Sequence, residues 1–270
     1  MAAELPPLVS GAWLAEHAAG VRVVDVRWYL DGRSGRAAYD TGHLPGAVWL
    51  DVDTDLSAPA SPADGRHPLP SPEHFATALG RVGIAQGQPV VAYDDAGGSI
   101  AARLWWLLHV LDEPVAVLDG GLQAWPGELS TDVVTLAQVT RTARPWPAAR
   151  FRDADSVARA ALVLDARPAE RFAHGDPGID PRPGHLPGAR SAPWAGNLDP
   201  ATGRFLDPAA LRARFAALGA SGDVVAYCGS GVTACHDLLA LEVAGISGTA
   251  LYPGSWSQWG ADPGRPIEMS

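Results

Sequence analysis

The chain has 270 residues, of which 47% are hydrophobic and 19% charged, enough apolar material for ordinary cores and about two domains. Its 30 acidic against 20 basic residues give a net charge of −10, which argues against a nucleic-acid binder. No apolar run reaches the ~18 residues of a membrane span, and two cysteines form no disulfide framework.

In chain order, "MAAELPPLVSGAWLAEHAAG" lacks a basic stretch followed by an apolar one, so no secretory signal is expected and the protein is expected to be cytoplasmic. "VRVVDVR" (21–27) reads as a buried strand, followed by "TGHLPGAVW" (41–49). "PEHFATALGRVG" (72–83) has helical spacing, and "PVVAYD" (89–94) is a second β-branched run. In "SIAARLWWLLHVL" (99–111), Ala101, Leu104, Leu108 and Leu111 fall on one stripe of a helix. "VAVLDG" (115–120) is a third strand, after which residues 127–150 lose clear periodicity.

The series then begins again. "ALVLDAR" (161–167) resembles "VRVVDVR", and "PGHLPGARS" (183–191) resembles "TGHLPGAVW". "LRARFAALGA" (211–220) lies more loosely over "FATALGRVGI" (75–84). "DVVAYCGSGVTACHDL" (223–238) lies over "PVVAYDDAGGSIAARL" (89–104), and "ALYPGSWSQW" (250–259) over "AVLDGGLQAW" (116–125), both at one offset. Matching blocks in the same order imply two copies of one domain. Continuous apolar strands alternating with helices predict α/β in each copy, a mainly parallel sheet with helices on both faces. The expected division is 1–127, a linker at 128–150, and 151–270.

The second copy places Cys228 at the carboxyl end of a buried strand, where open parallel sheets bind ligands. Backbone N–H groups of "GSGVT" and the following helix N-terminus, from about Val232, can form an anion cradle around the sulfur. The same field favours the nucleophilic thiolate. Gly229 and Gly231 permit close backbone approach; Ser230 and Thr233 add hydroxyls. Cys235, two helical turns on, reads as a core residue. The first copy carries Asp94 where the second has Cys228, so one active site per chain is expected. No HExxH, CxxC, GxGxxG or GxxxxGK[ST] pattern occurs, so neither a metal nor a cofactor is expected.

On these residues the sequence resembles the two-domain sulfurtransferases of the rhodanese family, over nearly its whole length. The resemblance implies two tandem rhodanese-like domains, the first catalytically silent. "CGSGVTA" (228–234) looks like the active loop of the members that use 3-mercaptopyruvate. Members using thiosulfate carry basic residues after the cysteine, where this chain has Gly229 and Ser230. The implied route is ping-pong. A Cys228 persulfide forms from 3-mercaptopyruvate or thiosulfate and passes its sulfur to a thiol such as thioredoxin, or to cyanide. The resemblance also implies a Ser/His/Asp group at Ser230, His67 ("GRHPLP") and Asp53 ("LDVDTDL"), and substrate binding by Arg171, with Arg182 the nearest candidate for a second arginine. It makes Gly229, Gly231, Val232 and Thr233 the loop around the substrate. His43 and His185 of the repeated "GHLPGA" read as structural.

Three rival readings stand beside this one. A phosphatase needs an arginine closing its loop, and no Arg or Lys follows Cys228 as far as His236. A serine hydrolase needs GxSxG, which "CGSGV" lacks. A non-enzymatic persulfide carrier would use the same cysteine without an arginine-lined pocket.

Overall fold

The computed structural model describes residues 5–269. The chain divides into two compact units: residues 1–58 with 70–146, and residues Pro59–Leu69 with Pro147–Ser270. A short strap, 59–69, therefore leaves the first copy and belongs with the second.

The first unit runs β1 (Leu8–Val9), α1 (Gly11–His17), β2 (Arg22–Asp25), α2 (Gly35–Thr41), β3 (Val48–Trp49), α3 (Pro72–Arg81), β4 (Val90–Tyr93), α4 (Ala101–His109) and β5 (Val115–Leu118). Its strands form one parallel sheet in the order β1-β5-β4-β2-β3. The second unit runs β6 (Leu162–Asp165), α5 (Ala169–His174), β7 (Arg190–Ser191), α6 (Pro208–Ala217), β8 (Val224–Tyr227), α7 (Ala234–Val243), β9 (Thr249–Leu251) and α8 (Ser255–Trp259). Its sheet is again parallel, ordered β7-β6-β8-β9. This is the α/β architecture expected from the alternation of strand and helix runs. All four residues of each of β4, β5, β6 and β8 are buried, which is why those runs are apolar throughout rather than alternating.

The repeated motifs have a common structural cause. In "VVDVR", Asp25 takes the Arg27 guanidinium at 2.6 Å, and Arg27 Nη2 also donates to the Gly42 carbonyl at 2.7 Å. In "VLDAR", Asp165 takes Arg167 at 2.7 Å, and Arg167 Nη2 donates to Gly184 O at 2.9 Å. Each strand end is thus tied to the glycine before the repeated histidine, through an ion pair under 6% exposed. Such a pair is stable only while both partners remain, because either charge alone is costly to bury. His43 Nδ1 lies 2.9 Å from Tyr39 O, and His185 Nδ1 lies 3.2 Å from Phe172 O, both rings buried. The two histidines serve the fold.

Helix starts repeat as well. Ser71 caps α3 through His74 N–H at 3.1 Å, and Asp207 caps α6 through Ala210 N–H at 2.8 Å, each followed by a proline at the first helical position. Residues 101–108 of α4 are buried on every side, including Trp105, Trp106 and Arg103. At roughly 1.5–3 kcal/mol per large apolar side chain, helices like α4 and α7 anchor their units. Residues 127–146, which have no helix or named strand, pack on the first unit: Ser130 bridges His43, and Arg141 pairs with Glu113 at 2.6 Å. Among the described residues, no helix is long and apolar enough to cross a membrane.

Candidate active site

The second unit gathers most of the residues singled out in the sequence around the end of β8. Cys228 is 1% exposed. Its backbone N–H donates to Ser255 Oγ at 3.1 Å, and its carbonyl accepts from Trp256 N–H at 3.0 Å. Gly229 O accepts from Ser257 N–H at 2.9 Å. The start of α8 therefore fixes the loop from outside, turning its own N–H groups toward the sulfur. Gly231 N–H reaches Cys228 Sγ at 3.1 Å and Ser230 N–H at 3.5 Å. The positive end of α7 follows at Ala234, two residues later than the sequence places it. Val232 and Thr233 close the turn, their carbonyls taking the N–H groups of Cys235 and His236.

Gly231 has φ +82°, and a Cβ there would lie 2.5 Å from Pro253 O, so only glycine suits the position. At Gly229 the limit is side chains: a Cβ would lie 2.8 Å from Arg66 Nη2 and 3.1 Å from Arg171 Nη2. Two guanidinium groups thus press on the residue after Cys228, where any larger side chain would displace them. Cys235 is buried in α7, its Sγ 3.4 Å from Gly231 O, and both cysteines are free thiols.

The strap 59–69 brings His67 and Arg66. It turns tightly at Ser61–Gly65, and Gly65, at φ +92°, lies where a Cβ would stand 2.6 Å from Gly254 O. Arg66 N–H donates to Ser257 Oγ at 3.0 Å, and Gln258 Nε2 donates to Ala63 O at 2.5 Å. So fixed, His67 is 4% exposed and shares a 2.7 Å hydrogen bond between its Nδ1 and Ser230 Oγ. Arg66 Nη1 donates to Ile179 O at 2.6 Å.

Arg171, on α5, faces Gly229 but gives its fork to buried Asp180, from Nε at 3.1 Å and Nη2 at 2.5 Å. Asp180 also receives the Asp176 N–H at 2.9 Å and lies 3.6 Å from Arg167 Nη1. Arg182 is engaged elsewhere. Its Nη2 donates to the carbonyls of Trp259, Asp262 and Arg265, at 3.3, 2.9 and 2.8 Å, and ties the C-terminal segment down. Asp53 belongs to the first unit, exposed in the turn after β3, where it accepts the Trp28 indole N–H at 2.9 Å.

Arg66 is the site residue that the sequence reading passed over. Its signal is its place beside His67 in "GRHPLP", whereas Arg182, the expected second arginine, lies before the second "GH".

Comparison with known proteins gives a consistent picture. Residues 10–128 and 148–262 each match the Rhodanese-like domain. A Pseudomonas aeruginosa protein provisionally named 3-mercaptopyruvate sulfurtransferase is 44% identical, over 91% of this chain and 91% of its own. A Mycobacterium tuberculosis protein provisionally named thiosulfate sulfurtransferase SseB is 40% identical, over 92% and 90%. The crystal structure of SseA from Escherichia coli, a 3-mercaptopyruvate enzyme by its description, aligns with TM-score 0.82 at 33% identity, covering 93% of this chain and 99% of that one.

Proposed function

The chain belongs to the rhodanese family, its relatives are sulfurtransferases, and from that premise we propose that it takes sulfur from 3-mercaptopyruvate. The observation that carries this reading is the hydrogen bond between Ser230 and His67, in the same loop as the Cys228 sulfur. A thiol whose departing carbon group leaves as an enolate needs a proton delivered to carbon; a departing sulfite does not. Gly229 points the same way. The loop itself carries no charge there, which suits a singly charged donor better than a doubly charged one.

The Cys228 sulfur, as thiolate, attacks the donor's sulfur; the new S–S bond forms as the S–CH2 bond breaks. The bonding pair leaves as the enolate of pyruvate. The proton of the donor thiol, passed through Ser230 and His67, ends on that carbon, so thiolate and mercaptopyruvate give persulfide anion and pyruvate. The N–H groups of Gly231 and Ser230 aim at the sulfur throughout and stabilise its charge. In the second half, a thiol such as thioredoxin, or cyanide, attacks the outer sulfur of the protonated persulfide and restores Cys228. Two buried free thiols suit a reducing cytoplasm, where we place the protein.

Steady-state rates with each donor, cyanide as acceptor, test the reading. A kcat/KM for mercaptopyruvate well above that for thiosulfate is expected; the reverse order would install thiosulfate as the donor. Turnover of neither, with a stable Cys228 persulfide handed to one protein, would make the chain a carrier.

A further inference from the structure

We propose that Asp180, the buried carboxylate behind Arg171, is a specificity-determining residue: it cancels one of two guanidinium charges beside Cys228 and so sets the site for a singly charged sulfur donor over a doubly charged one. The inference rests on Cys228 being the thiol that takes sulfur from an anionic donor, and it names the group that weighs one donor charge against another.

Asp180 stands in the segment between α5 and β7, with its side chain 1% exposed. Arg171 gives it Nε at 3.1 Å and Nη2 at 2.5 Å, and the Asp176 N–H reaches it at 2.9 Å. Arg167 Nη1, which has no hydrogen-bond partner among the described residues, lies 3.6 Å away. Arg66 is fixed to the same segment, its Nη1 donating to Ile179 O at 2.6 Å. One carboxylate thus sits among three guanidinium groups.

Two of those groups bear on the loop of the nucleophile. A Cβ on Gly229 would lie 2.8 Å from Arg66 Nη2 and 3.1 Å from Arg171 Nη2. Arg167 is already matched, giving Nε and Nη2 to Asp165 at 3.0 and 2.7 Å. The charge beside Gly229 is therefore two guanidinium groups less one carboxylate, a net of one. Without Asp180 it would be two. The crowding of like charge is felt by Arg66, whose guanidinium is held below its usual range. Burial is the first cause; Arg171 and Arg167 add to it, while the Cys228 sulfur and Asp180 oppose it.

Geometry works in the same direction. A guanidinium takes an anion best along its Nε–H and Nη2–H edge, and on Arg171 that edge is occupied by Asp180. Coulomb energy scales with the product of the charges, so a positive charge withheld from the site costs a dianion twice what it costs a monoanion. Asp180 and Arg66 line, with Ser61, Pro177, Ile179 and Ser257, a cavity of about 410 Å³, a size that admits a small anion. Asp180 acts through the two arginines and needs no contact with the donor.

The test measures how well acetate and sulfate, a monoanion and a dianion, protect Cys228 from alkylation by neutral iodoacetamide, together with donor kinetics. In Asp180→Asn the dissociation constant of sulfate should fall about tenfold and that of acetate about threefold, and kcat/KM for thiosulfate should rise relative to that for mercaptopyruvate. Asp180→Glu, which keeps the charge, should keep the native order of the two anions. A merely structural Asp180 would give the opposite sign, since a loosened loop weakens both anions. Constants that rise, stay unchanged or move equally in Asp180→Asn therefore overturn the proposal. In the native chain sulfate should bind less than about tenfold tighter than acetate. A greater preference for sulfate overturns the proposal as well, whether or not Asp180→Asn folds. Should the native chain not turn over mercaptopyruvate, the donor reading fails, and the two protection constants still decide on Asp180.

Discussion

Strand β4 and strand β8 have the same sequence, VVAY, and each ends in a loop that opens a buried helix. In the first unit that loop begins with Asp94, whose carboxylate is itself the anion in the cradle. Its Oδ1 accepts the N–H groups of Ala96 and Gly98, and its Oδ2 those of Ile100 and Ala101, all four at 2.8 Å. The Asp94 carbonyl is held by Leu122 N–H at 2.7 Å, as that of Cys228 is held by Trp256 N–H. In the second unit the side chain is a single sulfur, reached by two N–H groups at 3.1 and 3.5 Å. One scaffold thus makes an anion site twice. The first copy fills it with its own carboxylate, and the second holds a free thiol there. The first copy's loop is satisfied by its own side chain, through four hydrogen bonds.

The difference can be broken from the live side with the largest effect. Cys228→Ser should lower turnover by on the order of a thousandfold or more, because the nucleophile is replaced by a group with no neighbouring activation. Cys235→Ser should retain most of it, as a residue that only fills α7. A steady-state assay with either donor reads both, and an inverted pattern would move the site.

Broken from the silent side, the comparison predicts a cost in folding. Asp94→Ala strands three buried N–H groups and one half-buried, the buried ones each worth about 1–3 kcal/mol if left unpaired, so a loss of at least about 3 kcal/mol is expected by calorimetry. An unchanged Tm would mean that the carboxylate does not hold the loop.

His67→Gln sharpens the live side. Losing the proton route should cost about tenfold to a hundredfold in kcat/KM with mercaptopyruvate, and much less with thiosulfate. Equal losses with both donors would reduce His67 to a support for Ser230.

The smallest effect lies in the helices after the loops. At matching places α4 buries Arg103, which donates to Leu56 O, and α7 buries Asp237, which accepts from Asn197 Nδ2 at 2.7 Å. Burial pushes the Asp237 carboxyl up to about 7, with Asn197 and Arg214 opposing. The folded chain therefore holds a proton that the unfolded chain releases near pH 4. This group's contribution to stability is full below that pH, declines as pH rises toward 7 and is flat above. Asp237→Asn should flatten that decline, narrowing the difference in urea unfolding free energy between pH 5 and pH 8 by on the order of 1–2 kcal/mol. An unaltered pH profile would show that Asp237 titrates normally.

Much of this was legible in the sequence, because the same blocks occur twice. The strands 22–25, 90–93, 115–118, 162–165 and 224–227 and the cysteine loop follow from apolar runs ending in small or acidic residues. The two-residue strands β1, β3 and β7 were not, since two residues carry no period. Nor was the strap 59–69. Its attachment depends on Ser257 and Gln258, nearly two hundred residues away in the chain, and nothing local announces such a partner. The contacts of Arg182 are hidden for a related reason, as the backbone carbonyls that its Nη2 meets leave no mark in a sequence. Arg66 emerged only when the guanidinium groups could be placed around Gly229.

The central claim is that one of two matching loops is chemically alive, and that its sulfur carrier is Cys228. Mixing the chain with one equivalent of 3-mercaptopyruvate, without acceptor, and mapping the product by peptide mass spectrometry tests it directly. The expected product carries the mass of one added sulfur atom, on the peptide holding Cys228 at that residue, with one pyruvate released per chain. Added sulfur at Cys235, or pyruvate released from the Cys228→Ser variant, would contradict it.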